Sequence, residues 1–245
     1  MDGFSVKTMK CRLCRSEKKL NNSHIIPEFV YRPLYDEINR FHVVTTHENE
    51  RNKYLQKGIR EKLLCSDCEI LLSKNERYVS LLFSGAIPLH ITGNKKLIRV
   101  EGLDYTKFKL FALSVLWRAG IATHETFEEV RLGLHEQVLQ RMVLAGEPGP
   151  PEKYPFFLSP IMLKKELLKG LIVQPTEARV AGHFAYRFVF AGLAWVFIVS
   201  SHRIPNVLQE AALNAEGGLT MLPRELSQMK FITDMANELA SKGKL

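Results

Sequence analysis

Cys11-Arg12-Leu13-Cys14, then Ser23-His24-Ile25-Ile26-Pro27, then Cys65-Ser66-Asp67-Cys68-Glu69 are the three passages on which this chain turns. All four cysteines of the protein stand in the two C-x-x-C pairs, with 50 residues between them. Each pair presents two thiolates on a tight turn, and four thiolates close a tetrahedral Zn²⁺ shell. The spacing therefore predicts a structural zinc on Cys11, Cys14, Cys65 and Cys68. Two disulfides or a redox C-x-x-C are the alternatives. No secretory signal opens the sequence, so the thiols are expected to stay reduced.

A plain zinc ribbon or finger separates its knuckles by roughly 12 to 20 residues. Here the longer insert carries His24 in an apolar segment closed by Pro27. On these residues the chain resembles the HNH (ββα-metal) nucleases, in particular their zinc-containing branch. It is also similar to bacterial HNH-endonuclease-like proteins that carry, in order, S-H-I-I-P-x-F-V-Y-R (Ser23 to Arg32), Q-x-G (Gln56 to Gly58), L-L-C-x-D-C-E (Leu63 to Glu69) and S-K-x-E (Ser73 to Glu76). The resemblance covers residues 11 to 78. It implies a treble-clef-like zinc module in which two knuckles bracket a β-hairpin and a helix.

The resemblance also implies metal-dependent hydrolysis of phosphodiester bonds, with DNA the expected substrate. His24 takes the place of the general base, and a divalent ion such as Mg²⁺ would neutralise charge on the scissile phosphate. The positions implied as ligands of that ion are Ser23 and Glu69. Both depart from the family, where Asp is common before the base and Asn or His follows the last cysteine. A hydroxyl is the weaker ligand, whereas a carboxylate suits a hard cation. His24, flanked by Ile25 and Ile26, also fits a hydrogen-bonded core histidine or an alternative zinc ligand. A catalytically silent zinc module that binds nucleic acid or a protein is the competing reading. A third puts activity in the C-terminal part, around residues 171 to 222.

The net charge is +8, and residues 1–100 carry 18 Lys and Arg against 11 Asp and Glu, whereas residues 101–245 carry 16 against 15. The positive charge travels with the cysteines. A basic module favours a polyanionic partner, because neutralised phosphates release counterions. Arg51, Lys53, Arg60 and Lys62 are the candidate phosphate contacts, with a solvated loop as the plain alternative. His42, His47 and His90 lack sequence partners. Trp117, Arg118 and Trp195 read as core, and Glu128-Glu129 as a solvated helix face. The longest apolar run, Phe188 to Val199, is too short to span a bilayer, so a cytoplasmic protein without a membrane partner is expected.

The expected class is α+β, in two parts: residues 1–90 as the zinc module and residues 100–245 as an α+β accessory domain, available for a protein partner or a second copy. A frayed lead-in, Met1 to Lys10, precedes the first knuckle. Phe41 to Thr45 reads as a strand, followed by a polar loop over His47 to Lys53. The segment Cys68 to Phe83 reads as a helix with Glu69, Ser73 and Glu76 on one face. The rise of 1.5 Å per residue separates Glu69 from Glu76 by roughly 10 Å. Glu69 is then the likelier ion ligand of the two by position, and Glu76 a salt-bridge partner or plain surface. Further helices are expected over 104–122 and 125–145, the latter ended by Gly146-Glu147-Pro148-Gly149-Pro150-Pro151. Strands are expected at Leu171–Gln174, His183–Phe190, Ala194–Ser200 and Leu219–Leu222, with a helix after Pro223.

Overall fold

A computed structural model describes residues 8–45 and 50–245 of the chain. His47 and most of the lead-in lie outside the described residues. Over the described residues the fold is mixed α+β, with five helices, short 3₁₀ turns and small, mostly antiparallel sheets. In the N-terminal part, strand β1 (Leu20–His24) pairs antiparallel with β2 (Arg60–Cys65), and β2 runs straight into helix α1 (Ser66–Phe83). A short pair, Met9–Lys10 with Glu17–Lys18, flanks the first knuckle. Phe41–Val43 pairs with Lys53–Leu55, a shorter strand than the expected Phe41 to Thr45.

Helix α2 (Tyr105–Ile121) is the pillar of the molecule. Thirteen of its residues are buried, charged Lys109 and Arg118 among them, which follows from a sequence that is apolar on every side. Asp104 caps its start by accepting the Lys107 amide at 3.0 Å. On one side α2 packs against α1 and α3 (His135–Ala145). On the other, Phe108 and Phe111 meet Trp195 of the main sheet, with ring centroids 5.8 and 6.0 Å away. That sheet orders its longer strands as β3 (Phe156–Leu163), β6 (Leu193–Ile198), β5 (His183–Phe190) and β4 (Val173–Val180). A three-stranded sheet, Leu219–Met221, Ile98–Glu101 and His90–Gly93, fills the corner beside it.

The buried interior runs unbroken from Cys11 and Leu64 through Phe111 and Trp117 to Trp195, so the two expected segments share one core. Two expected elements differ markedly in extent, and one strand is unforeseen. The helix expected over 125–145 is a 3₁₀ turn at Glu125–Phe127 and, after Gly133 at φ 54°, α3 from His135. Gly146 at φ 70° closes α3. The strand expected at Leu171–Gln174 is Val173–Val180 instead, and β3 was not expected at all. Glu128 and Glu129 are exposed but lie in a turn and not on a helix. Trp117, Arg118 and Trp195 are buried, as read from the sequence. Among the described residues, no helix is long and apolar enough to cross a membrane.

Candidate functional site

The four cysteine sulfurs lie within 4.8 Å of one another, and three of the four residues are buried. Cys14 Sγ and Cys65 Sγ stand 3.8 Å apart. Tetrahedral ligands at a metal–sulfur distance of about 2.3 Å are separated by about 3.8 Å, whereas a disulfide needs about 2.05 Å. The cluster thus has the size of a metal shell. The chain builds it by laying the second pair across the end of β2 and the start of α1, facing the first knuckle. The Cys65 amide donates to Cys11 Sγ at 3.3 Å, and the Arg12 amide donates to the Leu63 carbonyl at 2.9 Å. Helix α3 secures the knuckle from outside, since Gln140 Nε2 donates to the carbonyls of Arg12 (3.1 Å) and Leu13 (2.6 Å). Burial raises the Cys65 and Cys68 thiols. It raises Cys14 too, but hydrogen bonds from Ser16 and the neighbouring sulfurs bring that thiol down to about 6.

His24 ends β1 and is the centre of a second constellation. Its Nε2 pairs with Glu28 Oε2 at 2.7 Å, and the other oxygen of Glu28 accepts from the Tyr35 hydroxyl. The carbonyl of His24 accepts from Arg118 Nη1 at 2.8 Å, and the same nitrogen lies 2.8 Å from Glu76 Oε1 on α1. Arg118 is 1 % exposed, and its remaining nitrogens are taken up by Ser114. Pro27 starts the 3₁₀ turn Glu28–Val30 that brings Glu28 back over His24. Burial holds the imidazole below its usual range, outweighing the pull of Glu28 and reinforced by Arg60. The pair has ion-pair distance without hydrogen-bond alignment, and both atoms are buried without another partner; Nδ1 is the other ring nitrogen that can accept a proton.

Arg60 pairs with His24 across the hairpin, and directly opposed residues project on the same face. No ion pair engages Arg60 among the described residues. The loop before it is fixed by Gly58, where a Cβ would fall 2.4 Å from the Tyr31 ring. The Tyr31 hydroxyl accepts the Ile59 amide at 3.4 Å.

Ser23 and Glu69 are placed differently from His24. Ser23 is 1 % exposed, on the opposite face of β1, and its hydroxyl accepts the Leu64 amide at 3.1 Å where a bulge at Asn21–Asn22 interrupts the ladder. Glu69 sits at the cysteine end of α1, and its Oε1 is buried without a hydrogen-bond partner. The carboxylate brought to His24 from α1 is Glu76, through Arg118. Among the described residues, the only set of three or more metal-type side chains that converges is the cysteine cluster. Of the donors implied for a catalytic divalent ion, Ser23 thus has its hydroxyl set against the Leu64 amide, and Glu69 keeps a buried carboxylate oxygen without a hydrogen-bond partner.

Of the other basic candidates, Lys62 donates to the Leu20 carbonyl at 3.2 Å and lines a groove with Lys10, Arg12 and Arg15. Arg51 is exposed, and Lys53 lies 3.9 Å from Glu125. Exposed His42 stacks on Tyr54, ring centroids 4.9 Å apart, and His90 is exposed on its strand. In the C-terminal part a polar cleft gathers His135, Tyr154, His202 and Arg203, with His135 Nδ1 2.9 Å from the Tyr154 hydroxyl. Sequence reading missed Glu28, Tyr35 and the role of Arg118. The Glu28 pairing had a signal, a carboxylate four residues after the histidine; the Arg118 pairing had none. Comparison of the chain with protein-family profiles, curated proteins and solved structures finds no match.

Proposed function

We propose that the chain is a zinc-stabilised phosphodiester hydrolase acting on nucleic acid, DNA first, with His24 as general base. The observation that carries this reading is the His24 Nε2 to Glu28 Oε2 pair, 2.7 Å long, set beside the unpaired guanidinium of Arg60. Glu28 orients the imidazole, and burial keeps it uncharged near neutral pH, so Nδ1 is able to take a proton from water. Arg60, on the same face, would contact the phosphate under attack and offset its charge. Arg118 holds the His24 backbone in place from behind, and does not touch the reactants. The Lys10, Arg12, Arg15 and Lys62 groove offers a track for the flanking backbone. In this reading the cysteine cluster holds Zn²⁺, in a treble-clef-like hairpin and helix, and serves folding. No step is assigned to a second ion; among the described residues, the cysteines are the only group of three or more His, Cys, Asp or Glu side chains that converges.

The Ser23 hydroxyl, set against the Leu64 amide on the strand face opposite His24, favours one alternative, a silent zinc module that binds nucleic acid without cutting it. A plasmid-nicking assay with Mg²⁺, Mn²⁺ or EDTA, comparing wild type with His24→Ala and Arg60→Ala, separates the two. General-base removal is expected to cost about 10²- to 10⁴-fold in rate, with zinc content unchanged. An equal rate in His24→Ala removes the histidine from the mechanism. Salt-sensitive binding with no cutting under any condition establishes the alternative.

A further inference from the structure

Between the N-terminal part and the main sheet lies a partly open cavity of about 560 Å³, whose lining does not include His24. Buried Phe108 and Leu158 form its floor, and half-buried Phe29 and Phe83 stand along one wall. Arg32 and Lys169 reach it from exposed positions, and among the described residues no acidic side chain lines it. Neither cation is engaged in an ion pair or a side-chain hydrogen bond among the described residues.

We propose that this cavity binds an amphipathic small molecule, an alkyl or similarly apolar body carrying one anionic head. The volume lies within the range of roughly 300–1,000 Å³ typical of small-molecule sites. Apolar walls left open to water are unfavourable, and an apolar body removes them from it. The same walls exclude a nucleobase, whose polar edges would go unsatisfied there. Two unpaired cations without a neighbouring carboxylate select a carboxylate or phosphate head and not an amine. The site does not depend on the hydrolase reading, since it shares no side chain with the His24 constellation. Phe29 follows Glu28 directly and packs against Phe83 and Phe111, so an occupant would also stiffen the segment that orients His24.

Isothermal titration of the full chain with dodecanoate, dodecyl phosphate and uncharged methyl dodecanoate tests the site. Saturable one-to-one binding of both anions is expected. Arg32→Glu combined with Lys169→Glu, both exposed, should weaken the anions at least tenfold and leave the ester unchanged. Ser80→Trp, which fills the cavity from α1, should abolish all three, with melting and zinc content confirming the fold. Absence of saturable binding overturns the proposal, as does binding unaffected by Ser80→Trp. Two other outcomes also overturn it: sedimentation with anionic phospholipid vesicles without binding of the free amphiphiles, and a concentration-dependent dimer that Ser80→Trp dissolves.

Discussion

Helix α2 buries two cations nine residues apart, and their surroundings are opposite. Arg118, near its C-terminal end, meets the Glu76 carboxylate, the His24 carbonyl and Ser114. Lys109, near its N-terminal end, meets only neutral acceptors, the Tyr105 hydroxyl at 2.9 Å and the Pro150 carbonyl. Each is 1 % exposed. A buried charge is tolerated when a countercharge and hydrogen bonds replace water. At Arg118 both are present. At Lys109 burial dominates, a distant Glu152 offsets only part of it, and the amine falls to about 7. One end of the pillar thus keeps a fixed charge behind the candidate site. The other pins the Gly149–Pro150 loop with a group that can lose its proton.

The largest test removes what the Arg118 end is built on. Glu76 and His24 are held in place by a hairpin and helix joined at the cysteine cluster, and metal binding in such clusters supplies about 10–16 kcal/mol of apparent folding energy. Cys65→Ser is therefore expected to lose zinc and the cooperative unfolding of the N-terminal part, read by metal analysis and near-ultraviolet circular dichroism. A zinc-free variant that melts like wild type would refute the structural role of the metal.

Next in size is the ion pair itself. Arg118→Met leaves Glu76 and the His24 carbonyl facing an apolar side chain. Removing one partner of a buried pair costs about 3–5 kcal/mol. Adding Glu76→Gln should recover part of that loss, since the remaining carboxylate is then neutral. Urea unfolding of the single and double variants measures both. A loss no larger than that of Lys109→Met would erase the contrast between the two ends.

The contrast also explains what could be read beforehand. The cysteine clamp was legible because its chemistry is written in local spacing, and so was the helix that follows it, whereas the pairing of β1 with β2 came only from the resemblance. The helical faces of α1 and α2 follow from their own periodicity. Arg118 was legible as buried but not as a brace, because its partners come from β1 and α1, far away in the chain. Ser23 was a ligand position only through the resemblance, and its contact with the Leu64 amide beside the bulge at Asn21–Asn22 had no local signal. Strand β3 carries a weak local signal, since Pro160 stands inside it. It is accommodated there because Pro160 lies opposite Leu193 on one side, while pairing on the other begins only at Ile161. In each case the deciding partner is distant in sequence.

The smallest effect is the most specific to the Lys109 end. The amine titrates near 7 in the folded chain and near 10.5 when unfolded. Between those values the unfolded state binds more protons, so this residue makes stability rise with pH. Below about pH 7 both states are protonated and the full cost of burying the charge is present. Above about 10.5 neither is, and the cost is gone. Tyr105, raised to about 12 chiefly by burial, changes sides only above pH 10 and leaves the window from 7 to 10 to the lysine. Unfolding free energies of wild type and Lys109→Met, measured by urea between pH 6 and 10, should therefore diverge. The wild type gains on the variant as pH rises, and the variant is relatively best near pH 6. A flat Lys109 difference would mean that this amine keeps its charge when buried, making the two ends of α2 alike.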